Sequence, residues 1–86
     1  MEVYKNTHSG VSAYEFGKDY IITRFGNQYY LYSNEVTGTK NLKRMKELAV
    51  IGKGLSSFIS RNIRKNYEAM FDSEKELRAY LKKRSS

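Results

Sequence analysis

The chain has 86 residues and a formal net charge of +7, and it contains no cysteine and one histidine. A chain of this length forms one small domain with a thin core, which excludes a second domain or a deep enclosed pocket. The lack of cysteine excludes disulfides and thiolate metal sites, and one histidine excludes a multi-histidine site, so no metal or other cofactor is expected.

Three segments near the N-terminus have the composition of strands. They are rich in β-branched and aromatic residues, which suit a pleated, half-buried surface, and they cover Val11–Phe16, Tyr20–Phe25 and Gln28–Ser33. Gly17-Lys18 and Gly26-Asn27 separate them, and two-residue loops with glycine are typical of hairpin turns. The sequence therefore predicts a three-stranded antiparallel β-meander.

Both faces of this meander are predicted to carry apolar side chains, because two-residue turns fix the register and divide the strand residues into two sets. One set comprises Val11, Ala13, Tyr20, Ile22, Tyr29 and Leu31, with Glu15 and Arg24. The other set comprises Tyr14, Phe16, Ile21, Phe25, Tyr30 and Tyr32, with Ser12 and Thr23. We therefore expect that each face is covered, or that one of them is a binding surface.

The spacing of apolar residues changes to that of helices after Asn34 and predicts three of them. The first begins near Thr39 and ends before Gly52, the second covers residues 55–71, and the third covers residues 73–84. Their apolar stripes are, in order, Leu42, Met45, Leu48 and Ala49; Leu55, Phe58, Ile59, Ile63, Tyr67 and Met70; and Leu77, Tyr80 and Leu81. Ser73 and Glu76 have the spacing of a capping box, which supports the start of the third helix.

The predicted fold is α+β, with the order βββααα: a three-stranded meander, two helices packed on one of its faces, and a C-terminal helix. Residues 1–86 are expected to form a single domain, with a core over about residues 9–71 and a C-terminal extension over about residues 73–84. Because no apolar run approaches the roughly 20 residues that span a membrane, and because the first residues lack the apolar stretch of a secretory signal, we expect a cytoplasmic protein without membrane contact.

Basic residues are concentrated in the second half of the chain. Residues 40–65 hold eight basic side chains and one acid, Glu47. Such an uneven distribution favours an anionic partner, although a solvated lysine-rich surface is the alternative. The candidate nucleic-acid contacts are the basic side chains that project away from the apolar stripes of the first two helices: Lys40, Lys43, Arg44, Arg61, Arg64 and Lys65.

Tyr30 and Tyr32 allow two interpretations. Together with Phe25 they offer a platform on which nucleic-acid bases could stack. Alternatively, their face is the seat of the second helix, and the rings belong to the core with their hydroxyl groups at its edge. The core interpretation is favoured, because a thin domain with six large apolar side chains exposed would not fold.

The order of these residues resembles the KTSC domain family, whose hallmark is a central Tyr-x-Tyr. The matching residues are Tyr14, residues 21–25, Tyr29, Tyr30-Leu31-Tyr32, Leu48-Ala49, Gly52, Phe58, Ile63-Arg64 and Tyr67. The family occurs as stand-alone bacterial proteins and at the C-terminus of some lysyl-tRNA synthetases, and RNA binding has been suggested for it without an established activity. The chain departs from the family pattern at Val36-Thr37, where a proline is usual, and in the helix after Ser73.

The sequence thus predicts a small, non-enzymatic, KTSC-like binding module that contacts nucleic acid, foremost RNA, through a cationic helical surface. Gly52-Lys53-Gly54 is too short for a phosphate-binding P-loop, and no base lies near Ser56, Ser57 or Ser60 in the sequence. The alternative is a protein–protein interaction module or homodimer that uses an exposed sheet face, unless the C-terminal helix covers that face. Binding of a small anionic ligand, such as a nucleotide, is a further alternative.

Overall fold

The computed structural model describes residues 1–6, 9–63 and 65–84, and these form an α+β fold, as predicted. The strands are β1 (Glu2–Val3), β2 (Val11–Phe16), β3 (Tyr20–Phe25), β4 (Gln28–Ser33) and β5 (Ala69–Phe71). The α-helices are α1 (Asn34–Thr37), α2 (Thr39–Ile51), α3 (Leu55–Phe58) and α4 (Glu74–Arg84), and a π-helical turn over Ile59–Ile63 continues α3. The sheet is antiparallel in the order β1-β2-β3-β4-β5, so the predicted three-stranded meander is its centre and gains a strand at each edge.

The two hairpins of the meander form, but one turn lies a residue further along than predicted. Phe25 pairs with Gln28, so Gly26-Asn27 is a two-residue turn as expected. In the other hairpin the Gly17 N–H donates to the Tyr20 carbonyl over 3.1 Å, which places the turn at Lys18-Asp19. The ring of Tyr20 lies so close to Gly17 that a Cβ there would be 2.4 Å from it, and glycine is needed beside the turn for this reason. The pairing of β2 with β3 is therefore shifted by two residues from the predicted register. Such a shift does not by itself move a side chain to the other face of the sheet.

The buried apolar residues of the sheet lie on their predicted faces, with the exception of Val11. Ile21 and Tyr32 pack with α2 in one cluster, whereas Ile22 and Leu31 pack in a second cluster on the opposite face. Val11 was predicted beside Ile22, but it packs in the cluster of Ile21. The register shifts between Val11 and Ala13, and the extra residue of this β-bulge turns Val11 to the other side of the sheet.

Helix α2 matches the first predicted helix, and all four residues of its apolar stripe are buried. It ends at Gly52, whose φ of 80° lies in the left-handed region that favours glycine. The Gly52 N–H donates to the Leu48 carbonyl over 2.9 Å, and a Cβ at Gly52 would lie 2.7 Å from the Cβ of Lys5. The glycine therefore both ends the helix and allows the N-terminal segment to pass close to it.

The predicted second helix over residues 55–71 is wrong after Ile63. The α-helical part ends at Phe58, the π-helical turn ends at Ile63, and the N–H of Asn66 donates to the carbonyl of Ile63 over 2.8 Å. The chain then reverses and forms β5, which pairs with Tyr29–Leu31 of β4. Without β5, the backbone groups at this edge of β4 would be unpaired, and the strand satisfies them better than a longer helix would. Met70, predicted in the helical stripe, is 41% exposed in β5.

The N-terminal residues contribute a strand and a core side chain that the sequence did not indicate. In β1, Glu2 pairs with Tyr14 and Val3 pairs with Ala13 of β2. Tyr4, which follows β1, is buried, and its hydroxyl oxygen accepts a hydrogen bond of 3.1 Å from the N–H of Leu55 at the start of α3. A sheet edge and a helix N-terminus are thus joined through one tyrosine.

Helix α4 covers the second face of the sheet, which is one of the two possibilities that the sequence leaves open. Its start is capped by the Ser73 hydroxyl oxygen, which accepts from the Glu76 N–H over 3.2 Å. Leu77 is 0% exposed and packs against Ile22 and Leu31, with Tyr80 and Leu81 partly buried around them. The aliphatic sheet face is therefore covered within the chain, and it is not the exposed face on which the homodimer alternative relied.

Candidate nucleic-acid interface

The net charge of the chain lies entirely in the segment that forms α2, α3 and the π-helical turn. Residues 40–65 carry eight basic side chains and one acidic side chain, and the rest of the chain carries eight of each. The helices of this segment pack on the sheet face of Ile21 and Tyr32, so the excess charge lies on one layer of the fold.

The two arginines of α4, on the opposite layer, are paired with acidic side chains. Four acidic side chains pair with two arginines of α4: Glu15 and Glu74 with Arg78, at 2.7 and 3.1 Å, and Glu68 and Asp19 with Arg84, at 3.1 and 3.4 Å. The hydrogen bonds from Arg78 lower the pKa of Glu15, so that this carboxylate is charged over a wider pH range than a free one. The two arginines of α4 are thus occupied by carboxylates of the chain, which makes them poor candidates for contacts with an anionic partner.

Three of the predicted contact residues share one exposed face of α2. Lys40, Lys43 and Arg44 are spaced three and four residues apart, which places them on one side of a helix, and each is exposed. Glu47 also lies on this face, and its carboxylate is 3.8 Å from the Arg44 guanidinium. Both of these side chains are more than half exposed, so the pair is weak and leaves Arg44 accessible to another anion.

Arg61, another predicted contact residue, is exposed in the π-helical turn, and Lys65 is exposed shortly after that turn. The predicted contact Arg64 lies outside the described residues. The Thr37 hydroxyl donates a 2.5 Å hydrogen bond to the carbonyl of Asn66. This bond joins the end of α1 to the turn that carries Lys65. Thr37 precedes Lys40 by three residues and Asn66 follows Lys65 directly, so the bond links the two chain segments that carry these lysines.

An aromatic cleft lies beside Lys65. It has a volume of about 380 Å³, and its lining includes Phe25, Tyr30, Tyr32, Ser60, Lys65 and Tyr67. The rings meet edge to face, with centroid distances of 5.5 Å for Phe25–Tyr30 and 5.0 Å for Tyr30–Tyr67. Such contacts are favourable for aromatic quadrupoles and hold the ring planes in fixed orientations. The cleft exists because the helix ends at Ile63 and does not extend over this end of the sheet.

Tyr30 and Tyr32 have different environments. Tyr32 is 1% exposed, packs with Ile21 and α2, and belongs to the core, where burial raises the pKa of its hydroxyl to about 12. Tyr30 is half-buried, and its hydroxyl lies 3.4 Å from the Gln28 side-chain oxygen. Tyr30 is therefore shared between the core and the open cleft.

The sequence analysis did not identify Tyr67 or Ser60 as part of a site. Tyr67 was assigned to the apolar stripe of a long helix, whereas it follows the end of that helix and contacts Tyr30. The sequence does contain a signal for this helix end: Asn66 is a residue type found after helices, and it follows the cations Arg61 and Lys65, which are favoured in a last turn.

Metal and membrane sites were searched among the described residues. No group of three or more histidine, aspartate or glutamate side chains there could hold a metal ion. None of the helices formed by residues 1–6, 9–63 and 65–84 has the length and apolarity needed to cross a membrane.

Comparison with known proteins does not assign the chain to a family. No family model, no curated protein and no solved structure matches the chain. The resemblance of Tyr30-Leu31-Tyr32 and the residues around it to the KTSC family accordingly stays a prediction.

Proposed function

We propose that this chain is a small nucleic-acid-binding module whose ligand is RNA and whose role is binding, not catalysis. Its phosphate contacts are made by the cationic surface, defined here as Lys40, Lys43, Arg44, Arg61 and Lys65. The observation that carries the proposal is the separation of charge: the two arginines of α4 are paired with four acidic side chains, and residues 40–65 hold the whole net charge. An anionic polymer is the partner that such a layer attracts most strongly.

The arrangement of the cationic surface supports this choice. The hydrogen bond between Thr37 and Asn66 joins the end of α1, two residues before α2, to the residue that follows Lys65, so the chain segments that carry Lys40 and Lys65 are linked. Arg61 offers a planar fork of donors that suits phosphate oxygens, and Lys40 and Lys65 act as flexible point charges. Contacts of this kind provide affinity and position, and they do not read sequence.

The resemblance to the KTSC family favours RNA over other polyanions, because RNA binding has been suggested for that family. The exposed part of the Tyr30 ring beside the cationic surface also favours a ligand with unpaired bases over a uniform polyanion.

The proposal is tested by two matched pairs of charge reversals. The variant K40E/K43E changes two lysines of the cationic surface, and the control K75E/K83E changes two exposed lysines of α4. Both reduce the net charge by the same amount. Fluorescence anisotropy with a labelled 12-nucleotide single-stranded RNA should show affinity reduced at least about tenfold for the first pair and by less than about threefold for the control. Equal losses in the two variants would mean that only the net charge matters, and that the surface is wrongly placed.

A second candidate function, association of two copies of the chain, is favoured by one observation. Val50 and Ile51 at the end of α2 are 54% and 61% exposed, and together with Phe16 they line a shallow apolar depression. Sedimentation at several concentrations tests this candidate. A dimer that V50E/I51E converts to a monomer would support it, and a monomer at all concentrations would refute it.

A further inference from the structure

We propose that the aromatic cleft binds an unpaired nucleobase, so that the module prefers single-stranded to double-stranded nucleic acid. This inference rests on the proposed function. It adds a contact to a base of the nucleic acid, whereas the cationic surface contacts the phosphates. The site consists of Phe25, Tyr30 and Tyr67, with Ser60 and Lys65 beside them.

The size and lining of the cleft fit a flat, apolar ligand with polar edges. A volume of about 380 Å³ lies within the range of roughly 300–1,000 Å³ that is usual for small-molecule sites. Tyr30 and Tyr67 are half-buried, so their rings are accessible from the cleft while their packing holds them in place. The interplanar angles of 89° for Phe25–Tyr30 and 84° for Tyr30–Tyr67 show a preformed cluster, which reduces the entropy lost when a base stacks on it.

The charge beside the cleft fits a nucleotide better than an aromatic amino-acid side chain. Lys65 lines the cleft and is exposed, and among the described residues no carboxylate pairs with it. The segment that precedes Lys40 is tied to the residue after Lys65, because the Thr37 hydroxyl donates to the Asn66 carbonyl. A base in the cleft would thus have its phosphates beside cations. A protein partner inserting a phenylalanine or tyrosine would instead place an uncharged backbone there.

Strand preference follows from this geometry. A base that enters the cleft must leave its stack and its pairing partner, which costs free energy in a duplex and little in a flexible single strand. Every base has a flat aromatic face, so the cleft discriminates weakly between sequences. The cationic surface alone would bind duplex and single strand without such a preference.

The decisive comparison uses three labelled ligands of ten nucleotides: oligouridine, an abasic strand with the same sugar–phosphate backbone, and a duplex RNA. At equal salt we expect the protein to bind oligouridine about 5- to 100-fold more tightly than the abasic strand, and more tightly than the duplex. Equal affinity for oligouridine and the abasic strand would overturn the cleft and leave the proposed function intact. Absence of salt-sensitive binding to any ligand would remove both.

Variants place the effect in the cleft. Y67L should lower the affinity for oligouridine to that for the abasic strand, and Y14L, at a half-buried tyrosine of the same sheet face outside the cleft, should leave the ratio unchanged. Because Tyr67 also packs against the core, a titration of the unmodified protein with uridine monophosphate provides a readout that needs no variant. The ring protons of Tyr30 and Tyr67 should shift in NMR spectra and those of Tyr14 should not; the opposite pattern would contradict the proposal.

Discussion

The guanidinium of Arg78 donates two parallel hydrogen bonds to the carboxylate of Glu15, with N–O distances of 2.7 and 2.9 Å. Arg78 lies in α4 and Glu15 in β2, so the pair fastens the C-terminal helix to the sheet. The same guanidinium bonds to Glu74 at 3.1 Å, which makes the pair part of a small network. Bidentate geometry of this kind is the strongest form of an arginine–carboxylate contact.

Replacement of Arg78 by methionine should lower the unfolding free energy by at most about 1 kcal/mol at pH 7, because the side chain of Arg78 is 41% exposed and the pair is screened by solvent. The hydrogen bonds from Arg78 hold the pKa of Glu15 below its ordinary value. The contribution of the pair is therefore present above the ordinary carboxyl pKa and is lost as the pH falls through the lowered one. Urea unfolding should show a gap between wild type and R78M at pH 7 that closes in acid. A gap that stays constant with pH would contradict this account.

Leu77 should be the side chain on which the attachment of α4 depends most. It is 0% exposed and packs against Ile22 and Leu31. Truncation to alanine removes buried methyl groups and leaves a cavity, so L77A should lower the unfolding free energy by about 2–5 kcal/mol. The control V36A, at an exposed helical site, should change it by less than about 0.5 kcal/mol. Chemical denaturation measures both, and a loss below about 1 kcal/mol in L77A would show that the helix does not seal this face.

The buried hydroxyl of Tyr32 should make the fold sensitive to alkali. Burial raises its pKa to about 12, whereas a tyrosine of the unfolded chain ionises near pH 10. Between these values the unfolded chain loses the proton and the folded chain keeps it, so stability falls as the pH rises, by about 2 kcal/mol at pH 12. Unfolding of the wild type and of Y32F at pH 8 and pH 11.5 tests this expectation. Y32F should lose less stability over the interval, and an identical loss in both proteins would contradict it.

The central strands and α2 could be predicted because their signals are local. The β-branched and aromatic composition of residues 20–33 indicates strands, and the stripe from Leu42 to Ala49 matches the period of a helix. Gly52 marks the helix end with the chemistry that the left-handed conformation requires. The assignment of residues to the two faces of the meander was not affected by the wrong turn position. The pairing of β2 with β3 is shifted by two residues, and such a shift preserves the side on which each residue lies.

The edges of the sheet could not be predicted in the same way. Ala69–Phe71 becomes a strand because β4 has an edge to pair with, and Tyr67 and Met70 also fit a helical stripe when read alone. The bulge between Val11 and Ala13 contains no proline or glycine of its own. Both features are decided by tertiary pairing, which outweighs local propensity.

One part of the candidate site could be predicted from the sequence and the other part could not. The cations of the proposed surface follow from charge and helical spacing, so the sequence indicates Lys40, Lys43 and Lys65 directly. The cleft does not follow from the sequence, because it needs the reversal after Ile63 that brings Tyr67 to within 5.0 Å of Tyr30. A continuous helix over residues 55–71 would place Tyr67 in its apolar stripe, whereas in the structure Tyr67 lines the cleft.

The most direct test of the central claim is a salt titration of RNA binding by the unmodified protein. Five exposed cations in contact with a single strand, at about 0.7 released counterions each, predict a slope of about −3 to −4 for the logarithm of the association constant against the logarithm of salt concentration. K40E/K43E should reduce the steepness by about 1 to 1.5, and K75E/K83E should leave it unchanged. A slope near zero, or an equal reduction in both variants, would contradict the assignment of phosphate contacts to the cationic surface.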